Sequence, residues 1–205
     1  MPRIYFSTGN SKLKECNVFS LMSGVTCKPG VKCAGYCYAK KAEKQYKDVR
    51  KTREENLKAS KLKSFVSNVT KKLSKSRYKT TRIHEGGDYY SEEYIKKWYQ
   101  IARNLPEHVF YSYTKRTDLF TDDILSDKPS NLKLILSIDG ILSDEASTDD
   151  LSYMARLVGY DKIAVVKTKT HTCPSTSKNN FKVKCIKDCK MCLNDHTTVI
   201  EFARH

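Results

Sequence analysis

Apolar and polar positions along the 205-residue chain alternate in short blocks of two kinds. Compact apolar runs, typical of buried strands, are separated by stretches in which apolar residues recur every three or four positions, typical of helices. Strands that alternate with helices of about 10 to 15 residues predict βαβ units and a parallel sheet. The predicted strands cover residues 17–22, 80–84, 109–113, 132–138, 162–166 and 198–202.

The stretches between these strands carry helical patterns. Residues 38–73 are basic and strongly helix-forming, and they predict two consecutive helices on the outside of the sheet. Ser91 is a predicted N-cap, and apolar residues at helical spacing follow it as far as Pro106. Shorter helices are expected from about residue 121 and over 149–157.

With about six or seven strands, we expect a small or partial parallel (β/α) barrel in preference to an open doubly wound sheet. Residues 1–170 would form this barrel-like domain, and residues 171–205 would form a Cys-rich metal-binding tail packed on it. Polar residues repeatedly follow the predicted strands. Because parallel strands end at one edge of the sheet, the working site is expected there.

Charge and hydropathy narrow the function classes. The chain has 38 Lys and Arg against 23 Asp and Glu, a formal net charge of +15. Such a surface favours nucleic acid, nucleotides or other anions as partners, although solvated lysine-rich helix faces would give the same balance. There is no apolar run of about 18 residues, so no membrane span is expected. The start of the chain lacks a secretory signal, which predicts the cytoplasm.

Seven of the eight cysteines fall into two groups, which favours metal or redox chemistry over four disulfides in a reducing compartment. The first group is Cys27-x5-Cys33-x3-Cys37, in a loop rich in glycine and proline. Three thiolates can hold a metal cluster with one position open to a ligand. A zinc-stapled loop is the alternative. Cys16 is either a fourth ligand or simply buried.

The second group is Cys173-x11-Cys185-x3-Cys189-x2-Cys192. Four ligands would close a coordination shell, and a [4Fe–4S] cluster and a structural zinc fit this number equally well. Because the last strand of a closed barrel lies beside the first, one cluster that draws on both groups is an alternative to two separate clusters.

A Gly86-Gly87-Asp88 motif follows the second predicted strand. Two glycines allow the backbone to approach a ligand closely, and the carboxylate can accept hydrogen bonds from an ammonium group or a ribose. An ordinary strand-to-helix turn would carry the same residues. His84 at the end of that strand, and Lys115 at the end of the next, are further candidates for binding a cofactor or a small anionic ligand.

Several segments, in order over almost the whole chain, resemble the phage gene product 88 family. They are residues 27–39, 84–95, 111–116 and the Cys-rich end. The resemblance implies a phage or prophage origin, and therefore the cytoplasm of a host cell.

The order of the motifs also resembles, more distantly, that of radical S-adenosylmethionine enzymes. Those enzymes hold a [4Fe–4S] cluster with one open iron in a three-cysteine loop after the first barrel strand, and a Gly-Gly-Glu motif after the second strand holds the cofactor's amino group. Here the loop spacing is x5 and x3 instead of x3 and x2, and Asp88 replaces the glutamate. The resemblance implies that residues 86–88 meet S-adenosylmethionine and that Lys115 stabilises its negative group.

The first functional hypothesis is therefore an iron–sulfur protein of this barrel type, with one or two [4Fe–4S] clusters or with zinc at the C-terminal group. The rival is a non-enzymatic, metal-stapled phage protein whose basic helices bind nucleic acid, with tyrosines that stack on bases. That surface would consist of Lys40, Lys41, Lys44, Lys47, Arg50, Lys51 and Arg53, with Tyr36, Tyr38 and Tyr46 among them.

Overall fold

A computed structural model describes residues 2–8, 13–138, 159–167, 173–174, 183, 185–194 and 199–203. The strands are β1 (Asn17–Phe19), β2 (Thr80–Ile83), β3 (Val109–Thr114), β4 (Leu132–Ser137), β5 (Lys162–Lys167) and β6 (Val199–Ala203). The helices are α1 (Tyr38–Gln45), α2 (Lys47–Ser60), α3 (Phe65–Ser74), α4 (Glu92–Asn104) and α5 (Asp122–Ser126). The predicted helix over 149–157 lies outside the described residues.

All six strands form one parallel sheet in the order in which they occur along the chain. Within the described residues β1 and β6 are its two edges. Neighbouring strands are in a register that places Val18, Arg82 and Tyr111 side by side across β1, β2 and β3. The prediction of an α/β fold with a parallel sheet is therefore confirmed.

One face of the sheet is covered by α3, α4 and α5. Trp98 of α4 is fully buried there, and its ring centroid lies 5.2 Å from that of Phe19 and 5.8 Å from that of Phe65. Alternate strand residues, such as Phe110 and Leu134, point into the same cluster. This aromatic and aliphatic layer forms the larger part of the hydrophobic core.

The opposite face of the sheet, called the tail face below, carries the other strand residues. Its apolar members are Val18, Tyr111, Ile135, Ala164 and Ile200. The Cys-rich C-terminal segment, with Leu13 and Cys16, packs against them. The helices and the tail therefore lie on opposite sides of one sheet.

The structure differs from the sequence prediction in two places near the first strand. The basic stretch 38–73 holds three helices and not two, because Tyr46 is extended (φ −120°, ψ 105°) and separates α1 from α2. The first strand ends at Phe19 instead of residue 22, because the chain there turns into a long loop.

Candidate functional site

Residues 20–37, here called the first loop, leave β1 at the carboxyl edge of the sheet and carry the first cysteine group. Cys27, Cys33 and Cys37 are partly exposed thiols that form no disulfide. Cys33 lies in a short 3-10 turn (Lys32–Gly35), and Cys37 is the N-cap residue of α1.

Cys27 accepts a hydrogen bond from the Gly24 N–H, at 3.4 Å. Burial raises the pKa of the Cys27 thiol, and the Gly24 N–H opposes this shift. Neighbouring negative groups, Asp88 and Cys37, raise the pKa further. Cys27 therefore lies within electrostatic range of Cys37 and of Asp88 in the second motif.

Residues 84–88, here called the second loop, pack directly on the first loop. Leu21 donates its N–H to the Gly86 carbonyl at 2.9 Å, and Asp88 donates its N–H to Thr26 Oγ1 at 3.0 Å. Gly87 has a φ of +78°, and a Cβ atom there would lie 2.6 Å from Thr26 Oγ1. Gly87 therefore allows the two loops to approach each other closely.

The Asp88 carboxylate joins the ends of β2 and β3. Its Oδ1 accepts the Tyr89 N–H and the Thr114 hydroxyl, both at 2.8 Å, and its Oδ2 accepts the Lys115 N–H at 2.9 Å. Burial raises the pKa of Asp88 to about 6, although these hydrogen bonds oppose the shift. In this structure Asp88 therefore holds the edge of the sheet together.

Two cations complete this edge. Arg116 donates to the carbonyls of Tyr89, at 2.8 Å, and Thr26, at 3.5 Å, which ties the first loop to the strand ends. The Lys115 ammonium donates to Ser137 Oγ at 2.7 Å, at the end of β4. Four consecutive strand ends are thereby linked through side chains at one edge of the sheet.

His84 lies on the helix side of the sheet, away from the first loop. Its backbone φ is +67°, its Nε2 lies 2.9 Å from the Tyr94 hydroxyl, and its ring contacts Phe19 and Tyr89. Burial, with a smaller contribution from Arg82, lowers the pKa of His84 to about 3, so that the imidazole is neutral. The structure therefore does not bring this predicted ligand-binding residue to the side chains of the edge.

The second cysteine group lies on the tail face. Cys185 and Cys189 bound a single π-helical turn, and the Cys192 Sγ is 2.8 Å from the Tyr113 hydroxyl. Burial raises the pKa of Cys192 to about 11, and the Tyr113 hydroxyl opposes that shift. Cys16 is fully buried on the same face, so it belongs with the second group in space and not with the first.

The two sets of thiols fit a metal in chemistry and in number, since none of the seven predicted cysteines is in a disulfide. Over the described ranges, however, no three His, Cys, Asp or Glu side chains are gathered closely enough to hold an ion. Binding of a metal would therefore have to draw the thiols of each group together, and the energy of binding would become folding energy.

Sequence reasoning missed Arg82, which lies in the middle of β2 on the tail face. Its neighbours along the strand, Thr81 and Ile83, are fully buried, whereas Arg82 is partly exposed. A charged residue in a short, otherwise uncharged strand was the available signal. No helix in the described part of the chain is long and apolar enough to cross a membrane.

The chain is therefore an α/β protein with a Cys-rich loop at the carboxyl edge of a parallel sheet and a Cys-rich tail on the tail face of that sheet. The family model described as Gene product 88 matches residues 5–200. The chain therefore belongs to the Gene product 88 family.

Two curated relatives have similar sequences. The Gene 88 protein of Mycobacterium phage D29 is 26% identical over 219 residues, and that of Mycobacterium phage L5 is 26% identical over 215 residues. Each alignment covers 94% of this chain and 89% of the relative. No solved structure matches the chain.

Proposed function

We propose that this protein holds an iron–sulfur cluster in the first loop and binds a small ligand beside it, either S-adenosylmethionine through its carboxylate or a small anion. The observation that carries the proposal is the packing of the three-thiol loop on the second loop at the carboxyl edge of the sheet. Sequential strand order with helices on one face is also the winding of a partial (β/α) barrel.

Cys27, Cys33 and Cys37 would hold the cluster. A [4Fe–4S] cluster held by three thiolates keeps one iron open to a ligand and can supply an electron. The Gly24 N–H already donates to the Cys27 sulfur, and hydrogen bonds of this kind tune cluster potential. The chain's own groups would bind the ligand's polar ends, with Lys115 beside Ser137 at the β4 end of the site.

The test is an anaerobic preparation analysed for iron, sulfide and zinc, with a visible spectrum. We expect brown protein with about four iron and four sulfide per cluster. Its EPR signal should change when S-adenosylmethionine is added. Cys27→Ser should abolish that response, whereas Cys16→Ser, a buried cysteine on the other face, should retain it. A colourless protein that contains only zinc would overturn the proposal.

The tail thiols would hold a second metal centre, either a [4Fe–4S] cluster or zinc, that fixes the tail on the sheet. Support comes from the packing of Cys173, Cys185 and Cys192 on one buried face. If Cys27→Ala and Cys185→Ala each remove half of the iron, there are two clusters. If either variant removes all of it, one cluster draws on both groups.

Nucleic acid is the second candidate partner, favoured by exposed aromatic residues on a basic surface. Tyr36, Tyr38 and Tyr46 are each more than half exposed, and lysines surround them. Arg53 does not belong to this surface, because it is buried in an ion pair with Glu43. Tyr46→Ala should weaken binding to single-stranded DNA at low salt. The absence of binding at low salt would eliminate this function.

A further inference from the structure

The tail face carries a cation, Arg82, that no described carboxylate contacts directly, although Glu85 lies near enough to act on it electrostatically. Arg82 donates its Nε–H to the His84 carbonyl at 3.3 Å, and its guanidinium lies 5.1 Å from the Tyr113 ring centroid and 6.0 Å from that of Tyr111. Within the described residues its two terminal amino groups have no hydrogen-bond acceptor, and no carboxylate lies within 4.0 Å of it. A guanidinium has five N–H donors, so at least four remain available.

A second polar group on this face also lacks a partner. Tyr111 is 1% exposed, and its hydroxyl lies near the Cys16 thiol but meets the geometry of a hydrogen bond with no described residue. Tyr111 and Arg82 are directly paired across β2 and β3, so both side chains leave the same face of the sheet at the same level. A buried hydroxyl without a partner costs about 1–3 kcal/mol, and a ligand that accepts its proton would recover that energy.

Burial disfavours a charge on Arg82, but the oxygens of three tyrosines and the Glu85 carboxylate favour it, and the pKa of the guanidinium is raised above its usual value. Arg82 therefore remains cationic, and it is still partly accessible. Tyr38, which directly follows Cys37, donates its hydroxyl to the Glu85 carbonyl at 2.7 Å. Because Tyr38 also acts electrostatically on Arg82, the Arg82 guanidinium lies beside the end of the first loop, where the proposed ligand would bind.

We propose that Arg82 and Tyr111 form an anion-binding subsite that takes the carboxylate or phosphate of a small ligand on the tail face. This inference rests on the proposed function for the ligand's other end, but the subsite itself needs no metal. A planar guanidinium binds two oxygens of one anion at once, and the Tyr111 hydroxyl adds a third donor.

The test is a titration of the purified protein with inorganic phosphate and with acetate at constant ionic strength, followed by calorimetry and by thermal unfolding. Arg82→Gln should weaken binding of the preferred anion by at least about tenfold. Arg82→Lys should weaken it less, and Tyr111→Phe should weaken it severalfold without changing charge. Arg77→Gln is the matched control, because Arg77 also stacks on a tyrosine, Tyr78, but is exposed.

The two probes separate the sources of the anion. Preference for acetate indicates a carboxylate ligand, and preference for phosphate indicates a nucleotide or phosphoester. Equal anion binding by the wild type, Arg82→Lys, Arg82→Gln and Tyr111→Phe would overturn the subsite. So would the result that neither probe binds.

Two further measurements keep the subsite separate from the cluster. Anion binding that persists in Cys27→Ser would show that the subsite does not need the cluster. If the protein contains no iron and still binds the anion through Arg82, the proposed cluster fails and the subsite stands. If Arg82→Gln lowers the metal content of the tail but leaves anion binding unchanged, the guanidinium serves the tail thiolates and the subsite is wrong.

Discussion

Gly87→Ala tests whether the close contact between the first and second loops constrains the fold. A Cβ atom at Gly87 would lie 2.6 Å from Thr26 Oγ1, 2.8 Å from Leu21 Cβ and 3.0 Å from the Leu21 carbonyl carbon. Two of these neighbours cannot move away by rotating a flexible side chain. Overpacking of this kind costs about 1–3 kcal/mol. The left-handed backbone at φ +78° costs a non-glycine residue about 1–2 kcal/mol more.

Gly30→Ala supplies the matched control. Gly30 has nearly the same φ, +77°, but a Cβ atom there would meet nothing within 4 Å. We therefore expect Gly30→Ala to lower the free energy of unfolding by about 1–2 kcal/mol and Gly87→Ala by about 2–5 kcal/mol. Urea unfolding at one pH, with metal content measured in parallel, gives both values. Equal losses in the two variants would refute the contact as a packing constraint.

Three other substitutions probe the groups around this edge. Glu43→Ala removes the carboxylate 2.8 Å from the buried Arg53 guanidinium and leaves it only the more distant Glu85, at 3.9 Å. The loss should cost about 3–5 kcal/mol in urea unfolding, and a loss below about 1 kcal/mol would contradict a buried ion pair. Burial raises the pKa of Asp88 to about 6. The contribution of Asp88 to the free energy of unfolding is therefore fully present below the unfolded pKa of about 4 and is lost as the pH rises through 6. Asp88→Asn should remove about 3 kcal/mol of that pH dependence between pH 4 and 7, and parallel profiles would show the cause to lie elsewhere. Ser91→Ala removes the hydroxyl that caps α4 and should cost about 1 kcal/mol, whereas Ser91→Thr should cost much less.

The strands could be predicted because each is a compact apolar run bounded by polar turn residues. The β4 strand, with Leu132, Leu134 and Leu136 on the helix side, is the clearest case. The break between α1 and α2 could not be predicted, because Tyr46 interrupts a run of good helix formers without a glycine or proline. Tertiary contacts fix α1 in place, since Glu43 accepts the Ser23 N–H and pairs with Arg53 of α2, and local propensity does not encode such contacts.

The site was partly predictable for a different reason. Parallel strands end at a common edge, so motifs that follow β1, β2 and β3 were expected to meet, and they do. What each motif contacts was not predictable. Gly87 packs on Thr26, Asp88 accepts hydrogen bonds from its own neighbours, and a left-handed backbone turns His84 toward the helices. These outcomes depend on which loops contact each other, and the local patterns of apolar and polar residues do not show this.

The position of Arg82 links the two cysteine groups more closely than their separation along the chain suggests. Two tyrosines lie close to its guanidinium. Tyr38 directly follows Cys37, and Tyr113 is hydrogen-bonded to Cys192. An anion bound by Arg82 would therefore lie beside a residue next to the first cysteine group and a residue next to the second. Because coupling between sites is reciprocal, an anion that tightens metal binding at either group must itself bind more tightly when the metal is present. Titrating the same anion into metal-loaded and metal-free protein measures this coupling. Identical affinities would show that the two cysteine groups and the cation between them work separately.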